Sequence, residues 1–173
     1  MVIILVGPPA AGKTTVARMV CESVRHSQGY PTLHLEVDNL RWMVVGDVKD
    51  HEPEAIWIKL CEGLLESAMT QVKLVVVEGL FFQSETLIYL KEKFGAIVIV
   101  FEAELKAALH RNQQRQPVDE RLADDEVQAL YSLPRPPGSI RVNAAGSARD
   151  VADEIIGIIT RRLDEPVCIS TGL

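Results

Sequence analysis

The chain contains no apolar stretch near the roughly 18 residues needed to cross a bilayer, so no membrane-spanning helix is expected. Cysteine is scarce: Cys21, Cys61 and Cys168 are odd in number and far apart. That count and spacing argue against both a disulfide framework and a zinc site. Aromatic residues make up only 5% of the chain. Blocks of like charge, internal repeats and low-complexity segments are missing. No basic patch is visible and the net charge is −6, which argues against a nucleic-acid partner. The N-terminus opens straight into an apolar run with no basic leader and no small-residue cleavage site, so a cytoplasmic location without a signal peptide is expected.

What remains is an ordinary globular composition, with 47% apolar and 24% charged residues over 173 positions. That length fits one domain spanning 1–173 and can bury a substantial core.

The most informative segment is Gly7-Pro8-Pro9-Ala10-Ala11-Gly12-Lys13-Thr14. It fills every fixed position of a phosphate-binding loop and stands between a β-branched run, Val2–Val6, and a helical run beginning at Lys13. Glycines 7 and 12 let the backbone curl around a phosphate, and the helix adds the positive end of its dipole. Lys13 is placed to reach the β- and γ-phosphates, and the Thr14 hydroxyl to hold Mg²⁺. Thr15 completes the predicted nucleotide contacts. The cofactors implied are ATP and Mg²⁺.

Downstream, strands and helices alternate, which predicts a parallel sheet covered on both faces. Strands are expected at Thr32–Val37, Lys73–Val77, Ala96–Phe101 and Ile140–Val142. Helices are expected from Lys13 to about Ser27, from about Pro53, over Ser84–Phe94, over Glu104–Gln116 and over Ser147–Leu163, where Ser147 and Asp150 have capping-box spacing. In the second of these helices Ile56, Leu60 and Leu64 form one apolar stripe, with Trp57, Cys61 and Leu65 beside it. Cys21 and Cys61 fall on apolar faces and are expected to be core thiols. The fold class is therefore α/β, a three-layer P-loop NTPase fold with a five-stranded parallel sheet and a lid insertion at about 111–138.

Ligands of such sheets bind beyond the carboxyl ends of the strands. Four groups stand there. Asp38 follows the second strand and can accept a proton from an attacking hydroxyl. Arg41 can grip an anionic acceptor, and Trp42 can line its pocket, as can Trp57 unless it packs in the core. Glu78 follows the third strand and can hold Mg²⁺ or reach the acceptor, and Gly79 beside it allows close approach of a ligand; Phe81 is a further lining candidate. Arg111 and Arg115 lie four apart on one predicted helical face at the lid entrance, suited to neutralising phosphate charge. Arg121 and Arg135 are further lid candidates. The histidines His26, His34, His51 and His110 show no metal spacing and are expected on the surface or satisfied in the core.

With Gly7–Thr14, the segment Asp38-Asn39-Leu40-Arg41 and the Arg111/Arg115 helix in view, the chain resembles P-loop kinases of the nucleoside monophosphate kinase-like group. The first 41 residues are similar to adenylylsulfate kinase, in which a Gly-Tyr turn also leads to a strand ending in Asp-Asn-x-Arg. Val77-Glu78-Gly79-Leu80-Phe81 departs from that enzyme. Residues 97–135 are more similar to zeta-toxin-like, chloramphenicol phosphotransferase-like and seryl-tRNA kinase-like proteins. The resemblance implies Asp38 as general base, Arg111 and Arg115 as lid arginines, and a loop around Asn143–Gly146 near the adenine.

The resulting expectation is an ATP- and Mg²⁺-dependent kinase acting on a hydroxyl of a small-molecule acceptor. Two other readings compete: an RNA-directed kinase, and a nucleotide-binding regulator that phosphorylates nothing.

Overall fold

A computed structural model describes residues 1–45, 54–79, 84–115, 122–131 and 136–164. The apolar run Val2–Val6 forms β1, buried at all five positions. A run without polar alternation can satisfy its side chains only between two covering layers. It pairs in parallel with β3 (Leu74–Glu78) on one side and β4 (Ile97–Glu102) on the other. β2 (Thr32–Glu36) and β5 (Ile140–Asn143) form the edges, giving the order β2-β3-β1-β4-β5.

Side chains alternate across this sheet, and two cores result. On one face Ile3, Leu5, Leu74, Val76, Ile99 and Phe101 meet α1 (Lys13–Gln28) and α7 (Ala148–Asp164). On the other, Val2, Ile4, Val75, Val77, Val98 and Val100 meet α3 (Glu54–Gln71) and α4 (Ser84–Phe94). The expected three-layer α/β architecture is present: five parallel strands with helices on both faces. α7 starts as its sequence predicts: Ser147 Oγ donates to Asp150 Oδ2 at 2.7 Å and accepts from the Asp150 N–H at 3.2 Å. Among the described residues no helix is long and apolar enough to cross a membrane.

Beyond strand ends shifted by one residue at β3, β4 and β5, three features differ from expectation. β2 stops at Glu36, and Val37 opens a further helix, α2 (Val37–Val45). Asp38 therefore sits in a helix's first turn, where a carboxylate complements the dipole. In α3 the buried stripe is Trp57, Cys61, Leu65 and Ala68, while Ile56, Leu60 and Leu64 are exposed. Trp57, 3% exposed, is a core residue. Finally, α5 spans Leu105–Gln113 and ends before Arg115. It is followed by α6 (Asp124–Tyr131).

Candidate nucleotide site

The chain leaves β1 at Val6 and reaches α1 through a tightly curled loop. Gly12 caps α1 in the left-handed conformation, with φ 89°, and Ala10 also adopts a positive φ of 58°. An L-residue in that region costs about 1 kcal/mol or more, a strain found where a loop is shaped for a ligand. Gly7 is demanded by space: a Cβ there would lie 2.9 Å from the Phe101 Cβ on β4. Pro9 and Ala11 are buried, Pro8 is half-buried, and Thr15 is exposed on the first turn of α1. The first N–H groups of that helix have no intrahelical partners and offer an anion site.

Lys13 folds back over the loop. Its Nζ donates to the carbonyls of Gly7 and Pro8, each at 3.0 Å. Burial is the largest influence on its ammonium and lowers its pKa. Glu78 and Asp38 pull it back up, and Arg115 pushes it down again. All three side chains are thus within electrostatic reach of Lys13.

Thr14 and Glu78 meet across the ends of α1 and β3. The Thr14 hydroxyl donates to Glu78 Oε1 at 2.7 Å. Burial alone would raise the Glu78 carboxyl; His34, Thr14 and Lys13 outweigh it, and its pKa falls below the ordinary value. An ionised buried carboxylate beside a hydroxyl is an all-oxygen donor pair, which suits a hard cation such as Mg²⁺.

Asp38 approaches the backbone at the end of β3. A Cβ built on Gly79 would stand 3.4 Å from Asp38 Oδ1 and 3.1 Å from the Val37 Cβ. The missing side chain at Gly79 gives the Asp38 carboxylate its place.

The two arginines do not form a pair on one helical face. Arg111 donates from Nη1 and Nη2 to the Ala144 carbonyl at 3.3 and 3.4 Å. That carbonyl lies in the loop between β5 and α7, beside Asn143, whose Oδ1 accepts from the Ala145 N–H at 2.9 Å. Arg115 lies past the end of α5, its N–H donating to the Asn112 carbonyl at 3.1 Å. Just before this end Asn112, 1% exposed, ties the helix to the chain beyond it: its side-chain Nδ2 donates to the Leu122 carbonyl at 2.8 Å and Oδ1 accepts from the Leu122 N–H at 3.2 Å. Tyr131 adds a second tie, its hydroxyl donating to the Ala103 carbonyl.

Arg41 and Trp42 are carried on α2, with side chains outside the described set; Phe81, Arg121, Arg135 and Cys168 lie outside the described residues. Sequence reasoning missed His34 and Glu36. Glu36 lies opposite Glu78 in the β2–β3 register, and its carboxylate accepts from Arg18 Nη2 at 2.9 Å and Asn39 Nδ2 at 2.8 Å. The signal was two polar residues at period two on one strand face.

No curated protein sequence matches the chain. Among solved structures the chain is similar to a gluconokinase from Sinorhizobium meliloti 1021, at TM-score 0.66 and 19% identity, over 92% of this chain and 91% of that one. It is also similar to shikimate kinase from Acinetobacter baumannii, solved in complex with shikimate, at TM-score 0.62 and 23% identity, over 93% of both chains. A third is the tunicamycin resistance protein of Deinococcus radiodurans, at TM-score 0.63 and 18% identity, over 91% and 94%. At these identities the likeness is one of fold. A family model for the AAA domain matches residues 2–133. Those residues hold the phosphate loop, Asp38, Glu78 and both arginines, and the chain belongs to the AAA domain family.

Proposed function

We propose that the protein is a Mg²⁺- and ATP-dependent kinase that phosphorylates a hydroxyl group of a small-molecule acceptor. The observation that carries this reading is the placement of Asp38. Its carboxylate lies against Gly79 and within electrostatic reach of Lys13, beside the loop that would hold the triphosphate. A nucleotide-binding switch has no need of a carboxylate there. A phosphotransferase needs one to take the acceptor's proton as its oxygen attacks the γ-phosphorus. The fold likeness to a gluconokinase and a shikimate kinase supports the same class of acceptor. The net charge of −6 weighs against an RNA-directed enzyme.

In this reading Lys13 leaves the Gly7 and Pro8 carbonyls for the β- and γ-phosphates. Thr14 and Glu78 would hold Mg²⁺, which would supply charge neutralisation for the transferring phosphoryl group. Asp38 receives the acceptor proton, the acceptor oxygen bonds to phosphorus, and the bond to the ADP oxygen breaks. Arg115, near Lys13, stabilises charge on the transferring group. Arg111, tied to the Ala144 carbonyl, serves the nucleoside end together with the loop at Asn143. Arg41, Trp42 and Phe81 are assigned to the acceptor side, and the segment about 111–138 acts as a lid that excludes water.

The deciding experiment measures ATP turnover with Mg²⁺ against a panel of hydroxyl-bearing acceptors, for wild type and Asp38→Asn. Turnover that requires one acceptor and falls by about 10²-fold or more in the variant supports the assignment. Acceptor-independent hydrolysis, unchanged in the variant, would overturn it in favour of a regulator.

A further inference from the structure

One half-buried side chain beside the Glu78 carboxylate has no part in that mechanism. The imidazole of His34 stands on β2 with its two nitrogens facing different carboxylates. Nδ1 lies 3.7 Å from Glu36 Oε1, and Nε2 lies 3.7 Å from Glu78 Oε1. Both separations are within ion-pair reach and longer than a hydrogen bond. Nε2 is closed off from solvent and makes no hydrogen bond. A buried ring nitrogen left in this way is destabilising, so its presence calls for a reason.

The two flanking carboxylates differ in how they are held. Glu36 is fixed on both oxygens, by Arg18 from α1 and by Asn39 from α2. It is a rigid post. Glu78 accepts from Thr14 on Oε1, the oxygen that faces His34 Nε2. A glutamate also has one more rotatable bond than the aspartate more common at the cation site of phosphate-loop enzymes, and so more freedom to lose when it binds a cation.

We propose that His34 is a positioning residue: braced against Glu36, it fixes the carboxylate of Glu78 for the divalent cation that enters with the nucleotide, donating to it from Nε2. The inference rests on the kinase reading above. It gives the unsatisfied nitrogen its task, since a small shift of the Glu78 carboxylate toward the ring completes the hydrogen bond. The same post reaches the base, because Asn39 follows Asp38 on α2. His34, Glu36 and Glu78 do offer three ligand atoms within 4.8 Å of one another. A second cation among them would face the Arg18 guanidinium that already occupies Glu36, which favours the hydrogen-bonding role.

The test needs no acceptor. Mn²⁺ replaces Mg²⁺, a non-hydrolysable ATP analogue is bound, and the bound Mn²⁺ is read by electron paramagnetic resonance. Binding of the analogue without metal is measured in parallel. His34→Leu removes the ring nitrogens, and His34→Gln returns an amide donor near the position of Nε2. In His34→Leu the Mn²⁺ affinity of the nucleotide complex is expected to fall about tenfold while metal-free nucleotide binding stays within about twofold. His34→Gln is expected to recover most of the loss. His34→Asn, polar but too short to reach Glu78, gives the same weakening should the leucine variant not fold. Equal Mn²⁺ affinity in wild type, Leu and Asn variants would overturn the role of His34 alone. So would a glutamine variant as weak as leucine, or an equal loss of metal-free nucleotide binding. A wild type that holds no Mn²⁺ with the analogue would overturn the kinase reading, and this inference with it.

Discussion

Gly79 and Asp38 are matched in shape: the glycine presents bare backbone where a Cβ would meet Asp38 Oδ1 at 3.4 Å and the Val37 Cβ at 3.1 Å. The second distance is tighter than a settled packing contact, so Gly79→Ala must push the start of α2 outward. Displacement of a reacting group by a fraction of an ångström to an ångström costs about 10- to 100-fold in rate. Acceptor-dependent turnover in Gly79→Ala is expected to fall by that factor, with the melting temperature lowered by only a few degrees. Unchanged turnover would detach Asp38 from the chemistry.

The buried carboxylate at the end of β3 predicts an acid-sensitive fold. Glu78 titrates below its ordinary value in the folded chain, its burial being outweighed by His34, Thr14 and Lys13. Protonation is therefore easier in the unfolded chain. The stabilisation is fully present above the ordinary carboxylate pKa of about 4.3 and is lost as pH falls through the lower folded value. Glu78→Gln removes this titration. Denaturant unfolding followed from neutral pH into this acid range should show a shallower decline in the variant. An equally steep decline would assign the acid limb to other groups.

Asn112 is expected to hold the chain at Leu122 to α5. Asn112→Ala loses both hydrogen bonds to the Leu122 backbone and leaves that peptide unsatisfied, at a cost of about 1–3 kcal/mol. Hydrogen exchange should quicken from Leu122 through α6, and remain at the wild-type rate in β1 and β3. Uniform quickening across the sheet would mean that Asn112 supports the whole domain.

Two thiols should be inert while the fold is intact. Burial is the main reason that Cys21 is pushed up to about 11 and Cys61 to about 12. Alkylation near pH 8 should be at least about a hundredfold slower at both than at an ordinary thiol, because the thiolate reacts. Peptide mass mapping with and without denaturant measures this directly. Rapid native labelling of either residue would contradict its burial.

Much of the site was legible because its chemistry is local. The phosphate loop needs a strand, two glycines, a lysine and a hydroxyl in one continuous stretch, and periodicity places both neighbours. Glu78 and Asp38 were singled out from strand ends alone, and the structure places both within electrostatic reach of Lys13. Other features depend on contacts that periodicity does not see. On α3 two apolar stripes run one residue apart, and only packing selects Trp57, Cys61 and Leu65 over Ile56, Leu60 and Leu64. The pairing of Arg111 with Arg115 on one helical face does not occur because α5 ends at Gln113, before Arg115, a boundary that periodicity does not mark. His34 was passed over because its spacing matches no metal motif; the carboxylate it faces on β3 is 44 positions away in sequence. The narrower resemblances, to adenylylsulfate kinase and to zeta-toxin-like proteins, rest on short segments; the comparisons support the broader P-loop kinase fold.

The central position of β1 bears on how the protein is made. Among the described residues β1 pairs with β3 and β4 alone, so its partners are synthesised roughly seventy or more residues after it. Until then the phosphate loop has no scaffold on either side, and an apolar pentapeptide stands unpaired. Closing contacts so distant in sequence is slow. The phosphate loop is thus encoded well before the strands that support it, and the site it forms assembles only once both β3 and β4 have been translated.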